Sequence, residues 1–230
     1  MYRSILIASL FLLVSFTRAN AQEINDLVKK AILKIDQVND YEATGTMRTD
    51  VAFLKVPVTG MIAYFKKPGK LKLKSERGIS FIPKGAVNLN LGALLSSQAF
   101  TIIDAGSAQA GNKAVRVAKL LPVDDNSDIV LSTIYIDPLT SLVQKAKTTT
   151  KENGSYELEM TYGKYASFGL PDKIIFLFDT KDYKLPKGMT FDFDDGKKTT
   201  TKAGKSGKGK AEISFSAYKI NKGIPDSVFQ

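Results

Sequence analysis

The chain has 230 residues and contains neither His nor Cys, so carboxylates, hydroxyls and lysines are the groups left to do chemistry. Without imidazole and thiolate it lacks the commonest general base, the thiol nucleophile and the usual zinc ligands. The carboxylates fall in small groups. Asp124-Asp125-Asn126-Ser127-Asp128 is an acidic loop whose spacing matches no calcium loop. Asp192-Phe193-Asp194-Asp195-Gly196 lacks the fifth-position ligand and the distal Glu, and reads as a hairpin tip. Asp179 and Asp182 read as turn residues. The stretch 195–210, DGKKTTTKAGKSGKGK, concentrates basic charge in a low-complexity loop. It lacks the G-x-x-x-x-G-K-[ST] spacing of a phosphate loop. Its lysines suit docking on an anionic membrane or an acidic partner. With no paired carboxylates at a recognisable spacing, the expectation is a protein without catalysis, metal or cofactor.

The elements that would position any ligand are strands. Ile129 to Tyr162 reads as three antiparallel strands and two turns. Ile129 to Ile136 is β-branched and aromatic. Asp137-Pro138-Leu139-Thr140 is a turn in which Pro fixes φ and Asp caps its own backbone. Leu142 to Thr150 is the second strand, and Asn153-Gly154 supplies a tight hairpin. Tyr156, Leu158, Met160 and Tyr162 then alternate with Ser155, Glu157, Glu159 and Thr161, which puts four large side chains on one face. One apolar face and one wet face describe an antiparallel sheet with something apolar held against it.

Ahead of the sheet, Met1-Tyr2-Arg3, the apolar run Ile5 to Phe16 and Ala19-Asn20-Ala21 have the layout of a cleaved secretory leader, residues 1–21. The expected product is an exported, periplasmic domain, residues 22–230. Its 31 Lys and Arg against 23 Asp and Glu leave +8, a charge that favours anionic partners. Nucleic acid is not expected, since no recognition motif is present. Ile24, Leu27, Val28, Ala31, Ile35 and Val38 fall at helical spacing, with Asn25, Lys29, Lys30, Lys34 and Gln37 opposite. This helix either packs on the sheet or serves as a lid over a cavity. A strand follows over Tyr41 to Phe53, with Gly45 marking a bulge. Pro57 interrupts it and a strand resumes at Val58 to Lys66. Lys67-Pro68-Gly69-Lys70 turns into a strand with Leu71 and Leu73 inside and lysines outside. Ser80 to Gln98 is apolar but broken by Pro83, Gly85 and Gly92, so it either covers a cavity mouth or fills the core. Phe100 to Ile103 is a short strand, Ala105 to Asn112 a small-residue turn, and Ala114 to Leu121 a strand. Lys173 to Thr180 is a continuous apolar run that reads as a strand buried on both faces. A short strand region is expected over Tyr183 to Phe193. The last strand is Ala211 to Ile220, with Ile213, Phe215, Ala217 and Lys219 on one side.

An N-terminal helix followed by about ten short strands resembles the periplasmic lipoprotein-carrier (LolA/LolB-like) superfamily. The resemblance rests on the element from Gly60 through Lys67-Pro68 to Leu73, and on Tyr135 to Lys145 followed by a hairpin and Gly169 to Ile174. The ending Ile224-Pro225-Asp226 to Phe229 completes it. It implies a mainly β (α+β) fold: a half-open antiparallel β-barrel with an N-terminal helix and a helical or loop lid. It also implies an apolar cavity that holds the acyl chains of lipoproteins, or another lipid, for transport to the outer membrane. Each CH₂ moved from water into such a cavity gains about 0.8 kcal/mol, so no specific polar contact is needed. The expected lining is Met61, Leu71, Leu73, Phe81, Leu89, Leu91, Ile134, Ile136 and Phe176. Lys67 stands where the carriers have an Arg that helps hold the lid closed, and Lys lacks the planar fork of donors. A sensor or interaction module of the same fold, binding an envelope protein partner, is the alternative.

Overall fold

The computed structural model of the chain describes residues 22–51, 54–75, 99–152, 154–179 and 208–230. Helix α1 covers residues 22–36. The strands are β1 (Asp40–Val51), β2 (Leu54–Lys66), β3 (Lys70–Ser75), β4 (Phe100–Ala110) and β5 (Lys113–Pro122), then β6 (Ile129–Asp137), β7 (Leu142–Thr150), β8 (Gly154–Thr161), β9 (Lys173–Asp179) and β10 (Lys208–Ile220). They form one antiparallel sheet in the order β3-β2-β1-β10-β9-β8-β7-β6-β5-β4. Every adjacent pair in this order is consecutive in the chain except β1 and β10, because β10 returns to lie between β1 and β9. The sheet is open: β3 and β4 are its edges. The expected leader, the 80–98 segment, the 183–193 strand and most of the basic loop lie outside the described residues.

Cross-strand pairing gives the sheet one continuous inner face. One row runs Thr49, Ala211, Phe176, Leu158, Ala146, Ile134, Ala118 across seven strands. Another runs Leu73, Ala63, Ala43, Tyr218. The outer face carries the charges, among them Lys145 with Glu157 and Glu159, Lys173 with Glu212 at 2.6 Å, and Lys219 with Glu42 at 2.7 Å. The Lys173 and Lys210 ammonium groups hold the Glu212 carboxyl below the usual carboxylate range. Val115 and Val117 depart from this pattern: both are buried in the outward phase of β5.

The apolar side chains of the inner face form two clusters. The first joins Ile24, Leu27, Val28 and Ala31 of α1 to the β5–β9 part of the sheet. The second gathers Val38, Tyr41, Met47, Met61, Phe65, Ile213 and Tyr218 over β1, β2 and β10. At its centre the Tyr218 ring meets Tyr165, Phe215 and Tyr41 at centroid separations of 4.9, 5.1 and 5.4 Å. Tyr218 Oη donates to the carbonyl of Pro171 at 2.7 Å, tying β10 to the β8–β9 connection.

Several elements differ from the sequence expectations, and the first three differences arise at bulges or register shifts. A bulge adds a residue to one strand, and its position depends on the partner. Pro57 does not interrupt β2. It lies at a register shift against β1, between the pairs Met47–Thr59 and Thr49–Val56, where no ladder bond is required of it. The expected Gly45 bulge is present, with Ser216 as the extra residue of β10. That insertion flips the phase of β10, so Tyr218 is buried and Ala217 exposed, opposite to simple alternation. The stretch 105–110 is strand, not turn. A bulge at Ala105-Gly106, capped by Asp104 Oδ1 accepting from the Gly106 amide at 2.8 Å, lets β4 continue to Ala110. β9 is buried on one face: Ile174 and Phe176 are buried, whereas Ile175 and Leu177 are half-buried among charged neighbours. β10 begins at Lys208, so the last three residues of the expected basic loop are strand.

Candidate binding face

Six of the expected lining residues lie among the described residues, and all six sit on the inner face. They fall into two settings. Ile134, Ile136 and Phe176 belong to the cluster covered by α1, and are 0%, 0% and 2% exposed. Met61, Leu71 and Leu73 belong to the second cluster, where Met61 is buried and Leu71 and Leu73 are half-buried beside the β3 edge. The inner face therefore has a covered half under the helix and a more accessible margin on β3. Phe81, Leu89 and Leu91 lie outside the described residues.

The helix is seated by packing and by charge at its ends. Ile35 of α1 lies against Gly169, whose φ of 65° is one that residues with a Cβ rarely adopt. A Cβ at Gly169 would stand 2.9 Å from Ile35 Cγ1. At the C-terminal end Lys67 Nζ reaches Asp36, the last helical residue. At the N-terminal end Glu23 Oε2 lies 3.3 Å from Arg116 Nη1, and Arg116 Nη2 is 2.7 Å from Asp104 on β4. Arg116 is in the inward phase of β5, between Ala114 and Ala118, and its Nε is buried without a hydrogen-bond partner. Sequence reading missed Arg116; its one signal was a cation in the same alternating phase as Ala114, Ala118 and Leu120. Past the helix, Asn221 Oδ1 accepts from the Asn39 amide at 2.7 Å while its Nδ2 donates to the Gln37 carbonyl at 2.8 Å. Asp40 Oδ1 in turn accepts from the Lys222 and Gly223 amides, each at 3.0 Å. This reciprocal clasp fixes the start of β1 to the end of β10.

Among the described residues the inner face carries several hydroxyls. Ser132 and Thr148 share a buried hydrogen bond of 2.9 Å. Burial pushes the Tyr41, Tyr162 and Tyr218 hydroxyls above the usual phenol range, which keeps them neutral. A recess of about 350 Å³ opens at the Gly45 bulge, lined by Thr44, Thr46, Met61, Ile62, Ser214, Phe215 and Ser216.

No protein-family profile matches the chain, and no curated protein matches it in sequence. The arrangement is that of an open antiparallel sheet with helix α1 packed on its apolar face, and solved structures share it. A DUF1329 family protein from Desulfovibrio piger superposes with a TM-score of 0.57 at 11% identity, over 93% of this chain and 96% of that one. A domain of an outer membrane lipoprotein-sorting protein from Vibrio parahaemolyticus gives 0.53 at 11% identity, over 89% and 95%. A LolA superfamily protein from Nitrosomonas europaea gives 0.52 at 10% identity, over 88% and 97%. The fold of this chain is LolA-like.

Proposed function

We propose that this protein is a non-catalytic, periplasmic binding protein that holds acyl chains of lipoproteins, or of another lipid, against the inner face of its sheet. The observation that carries the reading is the largely apolar inner face, of which α1 covers one half while Leu71 and Leu73 remain half-exposed on the other. A long chain laid on that margin is stabilised by about 0.8 kcal/mol for each buried CH₂. The helix acts as a cover: its ends are held by surface ion pairs, each worth only about 0–1 kcal/mol. Releasing it would extend the groove from Leu73 to Ile134. The likeness to a lipoprotein-sorting domain supports the reading at the level of fold.

The test is native mass spectrometry of protein purified without detergent, followed by solvent extraction, with uptake of a fluorescent fatty acid compared between the wild type and Leu73→Glu. A co-purified lipid or lipopeptide, and loss of uptake in a folded Leu73→Glu variant, are expected. Uptake by the variant at the wild-type level would overturn the placement of the groove. A second reading, a module that binds an envelope protein, is favoured by the near-complete burial of Ile134, Ile136 and Phe176 beneath α1, which is how a filled core looks. An apo mass with no fatty-acid uptake would select it.

A further inference from the structure

The two edges of the sheet are built differently. β3 reads KLKLKS and is protected in the way edge strands commonly are. Its outward lysines are engaged by the chain's own C-terminus: Lys70 with Asp226 at 2.9 Å, and Lys72 with the Gln230 carbonyl oxygen. β4 reads FTIIDAGSAQA and carries no cation and no proline. Its one charge, Asp104, is neutralised by Arg116 at 2.7 Å. Among the described residues β4 pairs on one side only, with β5. Exposed apolar side chains stand beside this edge: Ile103 on β4, Leu121 and Val123 at the end of β5, and Val130 on β6. The bulge at Ala105-Gly106 limits further strand addition to the stretch ending at Asp104.

We propose that residues Phe100–Asp104 of β4 are a self-association edge, at which a second copy of this chain adds its own β4 antiparallel about a two-fold axis at Ile102. The occupant must be a strand with apolar residues on both faces and no charge opposite Asp104. The sequence Phe100-Thr101-Ile102-Ile103-Asp104, read in reverse, meets both conditions. Phe100 falls opposite Asp104, Thr101 opposite Ile103, and Ile102 opposite itself, so no like charges are opposed. Phe100 and Ile102 already pack against the first core cluster, and pairing would carry that inner face across the axis. On the outer face it would set Ile103 opposite Thr101 of the second copy and diagonal to that copy's Ile103, sheltering the apolar side chains next to it. Such an interface is isologous and closes at two copies.

Light scattering and sedimentation of the purified protein, from micromolar to sub-millimolar concentration, test this. The wild type is expected to move toward twice the monomer mass as concentration rises. Ile103→Lys puts an unpaired charge into the pairing and should weaken association by at least about tenfold. Thr101→Lys, exposed on the same strand, should do the same if Ile103→Lys folds poorly by circular dichroism. Leu139→Lys, exposed at the β6–β7 turn, should associate like the wild type. A wild type that stays monomeric throughout overturns the proposal, as does association unchanged in folded Ile103→Lys and Thr101→Lys.

Discussion

Lys67 ties the last residue of α1 to the sheet: its Nζ lies 3.0 Å from Asp36 Oδ1 and 2.7 Å from the Asp36 carbonyl oxygen. The second contact lets a cation meet the negative end of the helix dipole. The Lys67 amide also donates to the Asn39 carbonyl at 2.8 Å, so the β2–β3 turn is joined to the helix–β1 link by backbone as well as side chain. Lys67→Ala should therefore loosen one end of the cover without unfolding the sheet. Amide hydrogen exchange should quicken over residues 22–36, while global stability falls by less than about 1 kcal/mol, because the pair is half-exposed. Lys67→Arg, whose fork can serve both acceptors, should restore protection. Unchanged exchange in Lys67→Ala would mean that packing alone seats the helix.

Gly45→Ala should be costly despite its small change in volume. A Cβ there would stand 2.2 Å from the Ser214 carbonyl oxygen, a backbone atom that cannot swing aside. Overpacking of this kind typically costs roughly 1–3 kcal/mol, which a urea titration of the variant would read. A loss below a few tenths of a kcal/mol would show that the β1–β10 bulge shifts freely.

Asp137 organises the β6–β7 turn, its Oδ1 accepting from the amides of Leu139 at 2.9 Å and Thr140 at 3.3 Å. Burial acts to raise its pKa, but those bonds, the Thr140 hydroxyl and the Lys113 charge outweigh it and hold the carboxyl below its ordinary value. A depressed carboxyl contributes stability above its unfolded pKa, near 3.9, and loses it as pH falls through the folded value. Asp137→Ala should thus be about 1 kcal/mol less stable at neutral pH. The gap to the wild type should narrow below about pH 4 in denaturant titrations. A gap constant across that window would assign the cost to something other than the ionised carboxylate.

The alkaline side has the opposite sign. Tyr41, Tyr162 and Tyr218 are held neutral by burial, with folded pKa values above the ordinary 10 or so. Their contribution is complete below the unfolded value and is lost as pH rises above it toward the folded values. Of nine tyrosines, fewer should ionise reversibly than the count allows, the rest titrating together with loss of near-ultraviolet dichroism. Nine independent tyrosines titrating near pH 10 in the folded protein would contradict the burial described here.

What could be read from the sequence was local. The turn at Asp137 and the alternation of Tyr156, Leu158 and Met160 are set by neighbours a few residues away, and β6 to β8 match the expected strands closely. The phase of Tyr218 and the continuation of β4 past Asp104 depend on bulges against partner strands; Gly45 marked one of them on β1, but its effect on the phase of β10 lies in the partner strand. The same limit applies to the inner face. The inward set was legible as alternation, but Ile134 under the helix and Leu73 at the margin have the same kind of side chain and differ only in what lies above them. Lys67 stood out through the family resemblance, yet its acceptor Asp36 did not, and Arg116 gave a single out-of-phase charge as its signal.

The place of β10 between β1 and β9 has a consequence for the order of events during folding. The β4 to β9 meander can assemble from neighbours as it is made, and so can the β1–β3 hairpins. The two are joined by the last strand, through pairs such as Tyr41 with Ile220, nearly the full described length apart. A chain halted before Lys208 would hold two separate sheets, each with a bare edge, and the Asn221 clasp would have nothing to close. Long-range closure of this kind is slow, in roughly the millisecond-to-second range. Until β10 arrives, the nascent protein is therefore open to capture by chaperones, proteases or its own kind, and β10 is the element that ends that exposure.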